Sequence, residues 1–420
     1  MNNGCLELYN SFTEVVRLEK PGAGIEADDA ATDMKVVIGS VSALVASFTY
    51  QFAGAMFTLL APLYFVIGLH LSPTEIGIEF TVLGLGTLIF EPLWGILTDR
   101  VPNSVLRPTI AVSSSAAFVA LASSRSFLTI AGVVLAIGGL VAGMAVVQRS
   151  EATKGVEGHR RGGTLGVLGS VVSASRIAGI LAGGFVFSEL GFVLGFYIAA
   201  TLAAVSSLPM LVSPLRQTDN LMKAKEKLDD RRPLPKLKVL SGSAIAIGAF
   251  VGQTVMTSLI VIVMARSPVS ATPLEIAAML ATYNLSVMIF QPIIGFVGMR
   301  RADSWIAAGL CVGMVAYATL VFARSPMLFY VSALTGGLAF SALTPLNLAS
   351  FISLGGKSRE GTMIGAYGAA EDVGVTIGPF VFGFLLGSAG VTSAYLSVVA
   401  IYAIVFAFFV CSRLLRSSNS

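Results

Sequence analysis

Charge is what this chain has least of. Asp, Glu, Lys and Arg together make up 12% of its 420 residues and hydrophobic residues 55%, against about 25% charged residues in an ordinary soluble domain. Such a composition excludes a soluble enzyme. Histidine and cysteine are almost as scarce: His70 and His159 fall between apolar runs, and Cys5, Cys311 and Cys411 lie too far apart to match any metal or disulfide spacing. Metal-dependent chemistry and a clustered nucleophile–base set therefore have nothing to stand on. No metal, no organic cofactor and no nucleic-acid partner is expected. Residues 1–34 hold seven acids and no cationic start followed by an apolar stretch, so they are read as a cytoplasmic tail rather than a signal peptide.

What is present is a duplication. Residues 72–100 recur without a gap at 272–300, where Pro73, Glu75, Ile76, Leu85, Ile89, Phe90, Pro92, Gly95 and Arg100 meet Pro273, Glu275, Ile276, Leu285, Ile289, Phe290, Pro292, Gly295 and Arg300. Further along, Gly138-Gly139-Leu140 meets Gly336-Gly337-Leu338, and Gly166, Gly169, Gly179 and Gly184 meet Gly365, Gly368, Gly378 and Gly383. Repeated halves in an apolar chain are a mark of secondary transporters, whose two bundles rock about a site near mid-membrane.

Runs of roughly 20 apolar residues, enough for a helix to cross a hydrocarbon core of about 30 Å, number twelve: 36–66, 75–97, 105–123, 127–148, 162–187, 191–213, 239–264, 273–297, 304–323, 326–352, 361–387 and 391–411. The fold class predicted is an all-α membrane protein with twelve transmembrane helices in two pseudo-symmetric six-helix bundles. Ser72-Pro73-Thr74-Glu75 and Thr272-Pro273-Leu274-Glu275 read as capping hydroxyl, first-turn proline and a glutamate reaching back. The organisation expected is a tail at 1–34, bundles at 35–213 and 239–412, a charged and proline-broken linker at 214–238, and a short tail at 413–420. With both termini inside, twenty of the 27 Lys and Arg fall in cytoplasmic connections or the C-terminal end, while only Arg125, Arg266 and Arg324 lie outside. That bias predicts a multi-pass cell-membrane protein with cytoplasmic termini, and a monomer is expected.

Two motifs carry a resemblance. Gly95-Ile96-Leu97-Thr98-Asp99-Arg100, preceded by Pro92-Leu93-Trp94, resembles the loop 2–3 signature of the major facilitator superfamily, and Gly179-Ile180-Leu181-Ala182-Gly183-Gly184 resembles its antiporter motif on the fifth helix. The likeness spans about residues 36–412 and leans toward drug or metabolite efflux members, without assigning a subfamily. Departures are specific: Pro102, Asn103 and Ser104 replace the later glycine and basic pair, Arg107 remains as the cation, Met299 stands where Asp99 would recur, and Ile180 replaces a proline that Gly378-Pro379 keeps. Val134 stands near the place of an expected arginine.

The resemblance implies a transporter working by alternating access, packing of helices two and eleven, and a cavity lined by segments one, four, seven and ten. Its expected cytoplasmic gate comprises Gly95, Asp99, Arg100, Arg107, Arg149 and Glu151, with Asp99 facing the N-terminal end of helix eleven, where free N–H groups favour an anion. Gly179, Gly183, Gly184, Gly378 and Pro379 are expected at close helix contacts. Cavity candidates are Tyr50, Gln51, Gln253, Thr254, Thr257, Thr335 and Asn347, which suit a small neutral or amphipathic solute better than phosphate or a dicarboxylate.

Ionisable groups deep in a span are costly, and here they are Glu91, Arg176, Glu371 and Asp372. Glu91 lies roughly 12 Å along its helix from Asp99, and Glu371 and Asp372 roughly 15 Å inside the start of segment eleven. The depths nearly match, so these four are the candidates for coupling to protons. Glu79, nearer the outer end of its helix, is expected to be a hydrated rim residue. Two other readings share much of this pattern: a facilitator or importer not coupled to protons, and a membrane scaffold or enzyme without transport.

Overall fold

The computed structural model describes residues 27–153, 161–209, 235–266, 269–298, 301–354 and 360–417, and among them every regular element is helical. Eleven of its apolar helical stretches are long enough to cross a membrane, and one of these, Gly169–Val205, is two helices. Gly191 breaks it with φ +77° and ψ 174°. Among the described residues twelve long helices result. The first half holds α1 (Ala27–Leu63, extended by a π-helical turn at Tyr64–Gly68), α2 (Pro73–Arg100), α3 (Asn103–Ser123), α4 (Phe127–Thr153), α5 (161–190) and α6 (192–205). The second holds α7 (Lys236–Thr254, a π-helical turn at Val255–Leu259, then Ile260–Ala265), α8 (Pro273–Gly298), α9 (Ala302–Val321), α10 (Pro326–Ser353), α11 (Glu360–Ser388) and α12 (Gly390–Ser417).

Local chemistry sets several of these ends. Glu75 N–H donates to Ser72 Oγ at 3.2 Å while Ser72 N–H donates to the Glu75 carboxylate at 2.7 Å, a reciprocal cap at the start of α2. Thr272 and Glu275 repeat it before α8 at 3.3 and 2.7 Å. Helix α1 is described from Ala27, inside the stretch read as a tail. At the other terminus α12 runs on to Ser417, and its Arg413 pairs with Asp303 at the start of α9 rather than opening a tail. The 214–238 linker lies, up to 234, outside the described residues, as do residues 1–26; α7 starts immediately after Pro235.

The duplication appears in the packing itself. A Cβ on Gly138 of α4 would fall 2.1 Å from Leu83 O of α2, and one on Gly337 of α10 would fall 2.6 Å from Tyr283 O of α8. On the next pair of helices, Gly179 of α5 rides on Phe52 of α1 and Gly378 of α11 on Val251 of α7, at 2.3 and 3.1 Å. The joints match too: Gly390, between α11 and α12, has φ +84° as Gly191 has +77°. In lipid, where apolar burial does not drive helices together, such backbone approaches carry the association.

Two seams join the halves, and each is the image of the other. In one, Gly383 of α11 would place a Cβ 2.6 Å from Gly77 Cα and 2.9 Å from Pro73 O of α2; in the other, Gly184 of α5 would place one 2.6 Å from Ala277 Cβ and 3.2 Å from Pro273 O of α8. These contacts lie toward the end of the bundle away from the chain termini. At that end Arg266, just after α7, also donates to Leu71 O, just before α2, at 2.9 Å, tying one half to the other.

Candidate functional site at the seams and in the first half

On the seam of α2 with α11 the acids gather. The Asp372 carboxyl lies within hydrogen-bonding reach of the Glu91 carboxyl and the Thr87 hydroxyl, with Glu371 close enough to act on it electrostatically. Asp372 is buried, and Glu91 and Glu371 are half-buried. The sequence places Glu91 and Asp372 at matching depths; the fold brings them to one point. Thr87 donates to Gly84 O at 2.8 Å, and Gly84 in turn lies against Thr376 of α11, where a Cβ would fall 2.7 Å from the Thr376 Cα. Small residues one and two turns from Glu91 thus let the two carboxyl-bearing backbones approach. Two carboxyl groups that share a hydrogen bond need a proton on one of them, and these two stand on helices of different halves.

Arg176 does not join that cluster. It sits on α5 within electrostatic reach of Tyr283 on α8, across the opposite seam.

Within the first half runs a polar chain that the loop motif only partly announced. Arg107, read as a loop cation, lies inside α3 at 1% exposure; it pairs with Glu151 of α4 and donates to Ser47 Oγ of α1 at 2.7 Å. Tyr50 and Ser114 share a 2.9 Å hydrogen bond and Gln51 donates to Gln148 at 3.0 Å. Ser47, Ser114 and Gln148 were not singled out from the sequence. Their signal was positional: Ser47, Tyr50 and Gln51 form an i, i+3, i+4 stripe, and Arg107 and Ser114 stand two turns apart on one face.

Other candidates scatter. Asn347, at 2% exposure, donates to Gly242 O at 2.8 Å and so clamps α10 to α7. Thr254 and Thr257 donate to Phe250 O and Gln253 O of their own helix, the second from inside the π-helical turn, and half-buried Thr335 donates to Val331 O. Gln253 is half-buried on α7. Gly95 has open space at its Cβ and Arg100 is exposed, while the side chains of Asp99 and Arg149 lie outside the described residues. Gly183 packs on Met56 of α1, and Pro379 O touches Gly77 at the seam. Glu79 corrects an expectation: instead of a hydrated rim position it is fully buried on α2, and neither carboxyl oxygen has a hydrogen-bond partner among the described residues.

A family profile described as Major Facilitator Superfamily matches residues 43–269 and again 245–420. The chain belongs to the major facilitator superfamily. It is accordingly a multi-pass membrane transporter and not an enzyme, in contact with lipid and with a small-molecule substrate. Among solved structures it is similar to a bacterial homologue of the human lysosomal transporter Spinster in an inward-facing, occupied conformation, with a TM-score of 0.71 and 15% identity over 88% of this chain and 95% of that one. The same homologue, inward-facing and unoccupied, gives 0.70 at 14% identity over 90% and 97%. The nucleoside transporter NupG gives 0.69 at 14% identity over 89% and 98%. These likenesses show a shared fold. No functionally curated protein matches the sequence.

Proposed function

We propose that this transporter exports a small neutral or amphipathic organic solute by alternating access, and that protons bound at Glu91 and Asp372 drive it. The observation that carries this reading is that those two carboxyls lie within hydrogen-bonding reach of each other on the seam between the halves. Separating the halves there would part them, and a proton held between them would be free to leave to whichever side is open. A carboxyl pair inside one rigid half would lack that link between protonation and motion.

The excess of Lys and Arg on one face puts both termini in the cytoplasm, and the Arg266–Leu71 tie then lies on the outer side. We read the conformer as closed outward, with Asp99, Arg100, Arg107, Arg149 and Glu151 forming the cytoplasmic gate and Gln51, Gln253 and Thr257 the polar positions of the cavity. Proteoliposomes test the coupling. Glu91→Gln and Asp372→Asn, assayed separately, are expected to lose accumulation driven by a pH gradient while keeping exchange down a solute gradient. Concentrative transport by both variants, with the parent's pH dependence, would make the acids structural and leave the uncoupled facilitator as the reading. A nucleoside, the solute named for NupG, belongs in the solute panel beside amphipathic drugs.

A further inference from the structure

Among the described residues nothing balances the charge of Arg176. It lies in the membrane-spanning part of α5, half-buried, and among the described residues it makes neither an ion pair nor a hydrogen bond; its one electrostatic neighbour is Tyr283 of α8. The acids of the spans are engaged elsewhere or lie elsewhere. Glu91, Glu371 and Asp372 form the cluster on the other seam, Glu75 and Glu275 cap α2 and α8, and Glu189 is exposed beside the Gly191 joint. Glu79 stands on α2, which packs on α4 and α11. A guanidinium in a span without a counter-charge is costly.

Tyr283 adds a second, independent deficit. Its ring is buried against Phe340, with centroids 6.4 Å apart, and beside Gly336, yet its hydroxyl has no hydrogen-bond partner among the described residues. A cation from one half and an unsatisfied phenol from the other thus lie within electrostatic reach across the α5–α8 seam, with Tyr402 of α12 also within reach of the phenol and the side chains of Phe340 and Met256 alongside.

We infer that Arg176 and Tyr283 form an anion-binding subsite for the transported solute, and that the solute is a monoanion, carboxylate or sulfonate, on an apolar or aryl body. One guanidinium and one phenolic O–H together balance a single negative charge and donate to its oxygens. A dianion would call for further cations, and the flanking aromatic and thioether groups suit an apolar body. The inference rests on the transporter reading above and names the amphipathic alternative within it.

Thermal unfolding of the purified protein in a non-ionic detergent tests this without requiring transport or a proton gradient, so failure of proton coupling leaves it intact and its own failure leaves coupling intact. The probes are matched carboxylate, amide and ammonium compounds on benzene, naphthalene and pyrene bodies. At least one carboxylate is expected to stabilise the parent at concentrations where its amide and ammonium partners do not. Arg176→Gln should weaken its apparent affinity by about tenfold or more, Arg176→Lys should retain part of it, and the isosteric Tyr283→Phe should weaken it several-fold with the unliganded protein still folded. Dioleoylphosphatidylglycerol, titrated in parallel, separates a lipid headgroup from a solute. If no carboxylate outperforms its amide, if the preference survives both Arg176→Gln and Tyr283→Phe, or if only the lipid stabilises in an Arg176-dependent way, the assignment is overturned.

Discussion

Arg107 of α3 and Glu151 of α4 form an ion pair buried to 1% and 10% exposure, and the same guanidinium holds Ser47 of α1. One side chain thereby fixes three helices of the first half. Removing one member of a buried pair strands the other, at a cost of about 3–5 kcal/mol. Arg107→Ala is expected to lower the unfolding temperature sharply, and adding Glu151→Ala to it should recover part of the loss. A double-mutant cycle by thermal unfolding in detergent checks this; additive losses would mean that the pair contributes no coupling energy.

The seams make a steric prediction. At Gly383 an added Cβ would collide with the backbone of Gly77, whereas at Gly95 it meets nothing within 4 Å. Gly383→Ala should therefore force α11 from α2, destabilising by about 1–3 kcal/mol and reducing transport, while Gly95→Ala is tolerated. Disulfide trapping of introduced cysteine pairs across the α2–α11 contact would register the displacement.

Glu79 is expected to be a thermodynamic liability. Both of its oxygens are stranded among the described residues, and an unsatisfied buried polar group costs about 1–3 kcal/mol. Glu79→Met, similar in shape, should raise the unfolding temperature. A lower one would show that the carboxyl has a partner.

The gate prediction is functional. Asp99→Asn, which removes charge without shortening the side chain, is expected to slow transport while leaving insertion and folding intact. Transport at the parent rate, with unchanged access of cytoplasmic thiol probes, would reduce Asp99 to an ordinary loop-end residue.

Much of the architecture was legible because it rests on signals local in sequence. The hydroxyl–proline–glutamate starts of α2 and α8, the segment breaks at 187–191 and 387–391, and the glycine pairs Gly179/Gly378 and Gly184/Gly383 have a direct structural counterpart, whereas Gly169 and Gly365 meet no neighbour. The meeting of Glu91 with Asp372 was legible only through depth, since two residues far apart in the chain share a level without revealing which way either faces. Burial was least legible. Arg107 and Glu79 look like solvated charges in sequence, and what hides them is contact with helices remote along the chain. Ser47 and Ser114 were missed because serine is unremarkable in an apolar helix until its partner is known.

Because both glycine seams sit toward one end of the bundle, each long helix beyond them is a lever. From Gly77 to Arg100, α2 extends roughly 35 Å, so every degree of rotation about the seam shifts its far end by roughly 0.6 Å. Contacts near Gly77 and Gly383 need then only roll, while groups at the level of Asp99 travel the greatest distance. Substitutions of equal size should therefore matter most for conformational equilibrium near the glycines, and most for the width of the opening at the opposite end.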